Sequence, residues 1–120
     1  MAPFLRNQWY TAATSTEVGA KPLARTICDE PLAIFRGQDG TVAALTDRCP
    51  HRKAPLSAGE VVGNDIQCGY HGIRFAADGA CTHVPGGAVR RGRTRLANRP
   101  TALDRFSAGT PTSEIGRAHV

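Results

Sequence analysis

Cys49-Pro50-His51 and Cys68-Gly69-Tyr70-His71 decide how this 120-residue chain is read. Each stretch supplies one thiolate and one imidazole, and sixteen residues separate His51 from Cys68. Two soft sulfur donors and two borderline nitrogen donors suit a pair of metals, one iron taking both cysteines and the other both histidines. The donor set Cys49, His51, Cys68 and His71 therefore predicts a [2Fe-2S] cluster of mixed ligation. Replacing two thiolates by neutral imidazoles makes the centre less negative, which favours the reduced state. Centres of this kind lie at about −150 to +300 mV, against about −400 mV for all-cysteine plant-type ferredoxins.

The residues between the ligands fit that reading. Pro50 stiffens the first loop, while Gly69 and Gly72 remove side-chain bulk so that backbone N–H groups approach the sulfides closely. Such donors would tune the potential further. Ser57-Ala58-Gly59 and Gly63-Asn64-Asp65 carry turn chemistry, with Glu60-Val61-Val62 and Ile66-Gln67 as short strands that leave the cluster and return to it. A zinc site is the main competitor, but its usual knuckles pair Cys with Cys and His with His. A Cys49–Cys68 disulfide is sterically feasible and at odds with the lack of a secretory signal. Cys28 and Cys81 read as small buried hydrophobes. His83 and His119 have no ligand partner at useful spacing.

The length allows one domain at most, and no apolar run is long enough to span a bilayer. The expectation is a soluble, cytoplasmic chain with no membrane partner. The net charge of +5 suggests nucleic acid until it is divided along the sequence. Residues 1–87 hold eight Lys/Arg and eight Asp/Glu, whereas residues 88–120 hold seven arginines against Asp104 and Glu114, so the whole excess sits in the tail. That tail lacks the aromatic stacking residues or helix pattern of a nucleic-acid reader, so no nucleic-acid partner is expected.

Short strands separated by turns are predicted over Gln8–Ala13, Ala24–Cys28, Leu32–Arg36, Val42–Thr46, Ile66–Cys68, Ile73–Phe75 and Ala80–His83. Gly37-Gln38-Asp39-Gly40 and Ala77-Asp78-Gly79 read as hairpin turns, and Thr16–Lys21 as one helical turn closed by Pro22. The fold class is all-β, a small antiparallel domain with two cluster-binding loops. Its predicted core is Trp9, Ile27, Leu32, Ile34, Val42, Leu45, Ile66 and Phe75. A core this thin makes the cluster a staple as well as a redox centre.

With the ligands placed, the surrounding residues carry a family resemblance. Arg6-Asn7-Gln8-Trp9-Tyr10, Lys21-Pro22-Leu23-Ala24-Arg25, Pro31-Leu32-Ala33-Ile34-Phe35-Arg36, DRCPHRKAPLSAGEV (residues 47–61) and IQCGYHGIRF (residues 66–75) resemble the N-terminal Rieske domain of Rieske non-haem iron oxygenases. The likeness is strongest to the vanillate O-demethylase oxygenase component and its demethylating relatives. It implies an oxidoreductase, a monooxygenase or demethylase component, whose domain relays single electrons from a flavin and iron-sulfur reductase to a mononuclear Fe(II). It also implies Cys49 and Cys68 on the inner iron, His51 and His71 on the outer one, and a homotrimer for the full-length form. In such a domain electrons pass through the imidazole edges, whose second nitrogens couple electron gain to proton gain.

Departures from the family pattern are informative. Respiratory relatives carry an extra disulfide-forming cysteine in each loop, where this chain has Ala54 and Tyr70, so the respiratory type is excluded. Ile73 stands where many ring-hydroxylating dioxygenases have Trp, in agreement with the demethylase branch. Pro85-Gly86-Gly87 is either a third loop over the cluster or a turn. The expected domains are 1–87, the Rieske [2Fe-2S] domain, and 88–120, an off-family basic tail. The tail has the Arg, Ala, Gly, Thr and Pro composition of a frame-shifted GC-rich gene, and Glu114–Val120 resembles a translated sequencing adapter; a disordered basic tail is the alternative. This reading leaves the catalytic domain outside the chain and the sheet without its closing strand. A free-standing Rieske ferredoxin is the alternative function.

Overall fold

In the computed structural model, residues 8–49, 54–69, 72–84, 98–104 and 115–119 are described. Their strands are β1 (Trp9–Thr14), β2 (Leu23–Ile27), β3 (Glu30–Arg36), β4 (Val42–Thr46), β5 (Glu60–Val62), β6 (Asp65–Gln67), β7 (Arg74–Phe75), β8 (Cys81–His83), β9 (Pro100–Thr101), β10 (Leu103–Asp104) and β11 (Ile115–His119). They form three antiparallel sheets, ordered β1-β11-β10, β2-β3-β4-β9 and β5-β6-β7-β8. The all-β antiparallel expectation holds. Of the helical turn expected at Thr16–Lys21, a 3-10 turn at Ser15–Glu17 is present.

The middle sheet explains the unbroken apolar run Leu32-Ala33-Ile34-Phe35. A half-exposed strand alternates apolar and polar, but all four of these residues are buried. Ala33 and Phe35 enter one core with Leu45, Ile66 and Phe75, while Leu32 and Ile34 enter a second with Ala12, Ala13 and Val18. One strand thus serves two cores on opposite faces. At about 25 cal/mol per Å² of apolar area removed from water, each such side chain contributes roughly 1.5–3 kcal/mol.

Turns set the registers. β2 ends one residue earlier than predicted because Cys28 and Asp29 take φ of 52° and 61°, the left-handed pair that a two-residue type I′ hairpin demands. Gly40 and Gly79 take positive φ in the two hairpins read from the sequence. At the other end of β2, Glu17 receives the Thr14 N–H at 2.9 Å and pairs with Arg25 at 2.5 Å. The Thr14 backbone bond, followed by its hydroxyl and the Arg25 charge, lowers the Glu17 pKa from its ordinary 4.5. A lowered carboxylate pKa stabilises the fold fully above that ordinary value, and the contribution fades as pH falls through the folded-state pKa. Glu17→Gln is accordingly expected to flatten the acid limb below pH 4.5, read by denaturant midpoints across pH; an unchanged acid limb would show the bond to be idle.

Two expectations are corrected. Trp9 is 43% exposed rather than in the core: it lies on β1 with the Arg117 guanidinium 5.5 Å from its ring centroid and the His119 ring at 5.0 Å. Indole offers a cation an attractive face without being enclosed. Ile27 and Val42 are partly buried, and the rest of the predicted core is fully so. The sheet was also expected to lack a closing strand. Instead, β9 pairs with β4 through Ala44–Thr101 and Leu45–Pro100, and β11 pairs with β1. Residues 85–97 lie outside the described residues, and with them the Pro85-Gly86-Gly87 reading.

Candidate metal centre

Two loops leave the sheets, and each carries a cysteine near its start. The first leaves β4 and the second leaves β6. Cys49 N–H donates to Ala54 C=O at 2.7 Å, and Cys68 N–H donates to Ile73 C=O at 2.8 Å, so each loop is closed by a backbone bond to the fifth residue on. In the second loop Gly72 N–H also reaches back to Cys68 C=O at 3.0 Å. Both cysteines are 1% exposed and neither is in a disulfide. They share one core with Leu56, Ile73 and Phe75, a packing that fixes the loop floors.

The loops also meet each other. Leu56, fully buried, anchors a 3-10 turn at Leu56–Ala58. The next residue, Gly59, is pressed against the second loop: a Cβ there would overlap the Gln67 carbonyl oxygen and come within 3.1 Å of Gly69 N. By contrast, among the described residues a Cβ on Gly69 would make only an ordinary 3.4 Å contact with Ala58 O. Ala54, Pro55, Ala58 and Gly69 line a cleft of about 300 Å³ between the loops.

The base of the first loop is held from two sides. Asp47 accepts the Ser57 N–H at 2.7 Å and the Ser57 hydroxyl at 2.6 Å. Asn98, 8% exposed, donates its amide to Thr46 O at 3.0 Å and Arg48 O at 3.2 Å, and its own N–H bonds Gly79 O at 2.7 Å. Neither holder was found in the sequence. Asp47 and Ser57 are ten residues apart with no motif to connect them. Asn98 acts on carbonyls roughly fifty residues away, for which no local signal exists.

Of the four ligand candidates, Cys49 and Cys68 are placed at matched loop positions, while His51 and His71 lie outside the described residues. The two cysteines meet the chemical requirement for the sulfur half of a mixed-ligand iron centre: outside any disulfide, buried and carried on adjoining loops. Cys81 is buried in the same core with its thiol 3.9 Å from His83 O, and Cys28 sits in the β2–β3 turn. His83 is exposed on β8. The burial of Cys28 and Cys81 agrees with the small buried hydrophobes expected of them.

Comparison with known proteins gives a consistent picture. Residues 8–97 match the Rieske [2Fe-2S] domain model, a match that runs past Gly87. The chain is 56% identical over 84 residues to the oxygenase component of dicamba O-demethylase from Stenotrophomonas maltophilia, covering 70% of this chain and 25% of that protein. It is 46% identical over 87 residues to a vanillate O-demethylase oxygenase subunit from a Pseudomonas species, covering 72% and 25%. The crystal structure of dicamba monooxygenase bound to dicamba superposes with a TM-score of 0.83 at 44% identity, covering 98% of this chain and 33% of that one. The chain thus spans about a quarter of the length of the curated relatives it matches.

Proposed function

The chain belongs to the Rieske [2Fe-2S] domain family, and on that premise we propose that it is the electron-relay domain of an oxygenase component of the O-demethylase type. Cys49 and Cys68 hold the inner iron, and His51 and His71 hold the outer one. The observation that carries this assignment is the pair of cysteine-bearing loops, each closed by the cysteine's own N–H on the fifth residue on, with both cysteines buried and neither in a disulfide. When bound, the cluster supplies a one-electron store.

The protein's contribution is enclosure and aim. Burial of Cys49 and Cys68 keeps water from the sulfur side, and low polarity there strengthens every hydrogen bond that reaches the donors. The way out for an electron is assigned to the two imidazoles. The electron donor is a flavin and iron-sulfur reductase, and the electron's destination is a mononuclear iron in the larger oxygenase, which works as a homotrimer in the cytoplasm. Among the described residues no helix is long and apolar enough to cross a membrane. The cluster domain is assigned to residues 1–87 and the tail 88–120 to a segment of different origin, set against a family match that reaches residue 97 and strands β9 and β11 that pair with the sheets; resequencing the locus tests this, and a natural uninterrupted frame that stops after Val120 would refute it.

Anaerobically purified chain supplied with iron and sulfide is expected to turn red-brown and, once reduced, to give the rhombic EPR signal of a mixed-ligand [2Fe-2S] centre. A colourless protein carrying one divalent ion would instead establish the zinc reading.

A further inference from the structure

We infer that the Asp47–Ser57 pair is a positioning clasp that sets the spacing of the two ligand loops, and through it the geometry and potential of the metal centre; this rests on the ligand assignment proposed above. Both carboxylate oxygens of Asp47 are committed to one residue, to its N–H at 2.7 Å and its hydroxyl at 2.6 Å. Charge-assisted bonds of this length are stronger and more directional than neutral ones. The clasp brackets the Cys49–Ala54 closure from outside, so the first loop is tied at two levels.

What makes the clasp more than a local brace is the direction in which its two ends lead. Asp47 is itself fixed to the central sheet, its N–H donating to Pro31 O at 2.9 Å. Ser57 lies in the Leu56–Ala58 turn, and Gly59, next in line, is seated against Gln67 and Gly69 on either side of Cys68. A continuous line of contacts therefore runs from β3 through Asp47, Ser57 and Gly59 to the backbone that carries the second thiol. If Ser57 moves, the first loop changes shape and the second loses its seat. A rigid two-iron group held by Cys49 and Cys68 would tolerate little change in the separation of those donors. Neither Asp47 nor Ser57 is assigned as a ligand, so the effect is one of position.

The test compares Asp47→Ala, Asp47→Asn, Ser57→Ala and Ser57→Thr with the wild-type full chain. Ile34→Val serves as a control that loosens the other core. Midpoint potential, EPR g-values of the reduced centre and the rate of iron loss to a chelator are read beside the melting temperature. Ser57→Thr keeps both donors and is expected to match wild type. Ser57→Ala, which removes the hydroxyl bond alone, shifts the potential and g-values, and Asp47→Asn, which keeps an acceptor for the N–H, does likewise. Asp47→Ala shifts them further and weakens iron retention by about 10- to 100-fold, as removal of an outer partner does at other metal centres. If Asp47→Ala does not fold, Ser57→Ala decides the matter. Variants with wild-type potential and g-values, losing iron no faster than Ile34→Val, overturn the clasp. A wild-type chain that never shows the [2Fe-2S] signal overturns the ligand assignment itself, so the two failures are told apart.

Discussion

Cys68→Ala is expected to leave the chain without iron, whereas Cys28→Ala keeps its full complement. Cys68 is 1% exposed at the head of the second loop, where a methyl group has no electron pair to offer. One thiolate and two imidazoles cannot then satisfy both irons, and the centre does not assemble. Because metal binding is also folding energy in a small domain, the variant should melt well below wild type. Cys28 lies in the β2–β3 turn and belongs to neither of the two packed cores. Its replacement keeps a Cβ in the same left-handed conformation and should leave iron content unchanged. Iron per chain and visible absorbance measure both. Loss of iron in the two variants alike would show that the four cysteines have been divided wrongly.

Gly59→Ala should be nearly as damaging, through packing alone. Its added carbon would intrude on the Gln67 carbonyl, an atom fixed by the β5–β6 pairing that joins Glu60 to Gln67. No rotamer change relieves a clash with backbone, so the hairpin has to move. Overpacking in a well-ordered interior costs typically about 1–3 kcal/mol, and a rigid backbone neighbour puts this site at the upper end. Small domains have only about 5–15 kcal/mol in total, so a large part of the stability goes with it. A fall in the denaturant midpoint at constant slope would report this loss. An unchanged midpoint would mean that the two loops do not meet as described.

The sequence disclosed those parts of the molecule whose physics is local. Gly37–Gly40 and Ala77–Gly79 announce their hairpins because turn geometry selects residue type within four positions. The Leu32–Phe35 run announces a strand because burial on both faces leaves no room for a polar residue. The Cys and His spacing announces a metal because thiolates and imidazoles rarely gather without one. Other parts were hidden because their physics is not local. Trp9 is apolar by type, yet its position depends on a strand from the far end of the chain. The two-residue strands β9 and β10 have no period because an edge strand needs only backbone N–H and C=O groups, and β11 is set by its pairing with β1 and β10 rather than by any local pattern. The Asp47–Ser57 bonds join two ordinary loop residues, and nothing in either names the other.

The placement of β3 between two cores has a wider bearing. Alternate side chains of a single backbone, Ala33 and Phe35 on one face and Leu32 and Ile34 on the other, hold both halves of the interior. Neither half can unfold outright while the other stays folded, since the strand they share would have to leave its register with β2 and β4 together. Cooperativity is thereby wired into the polypeptide: a cluster bound beside one core would stiffen the other through β3, out to Ala12 and Ala13 on β1.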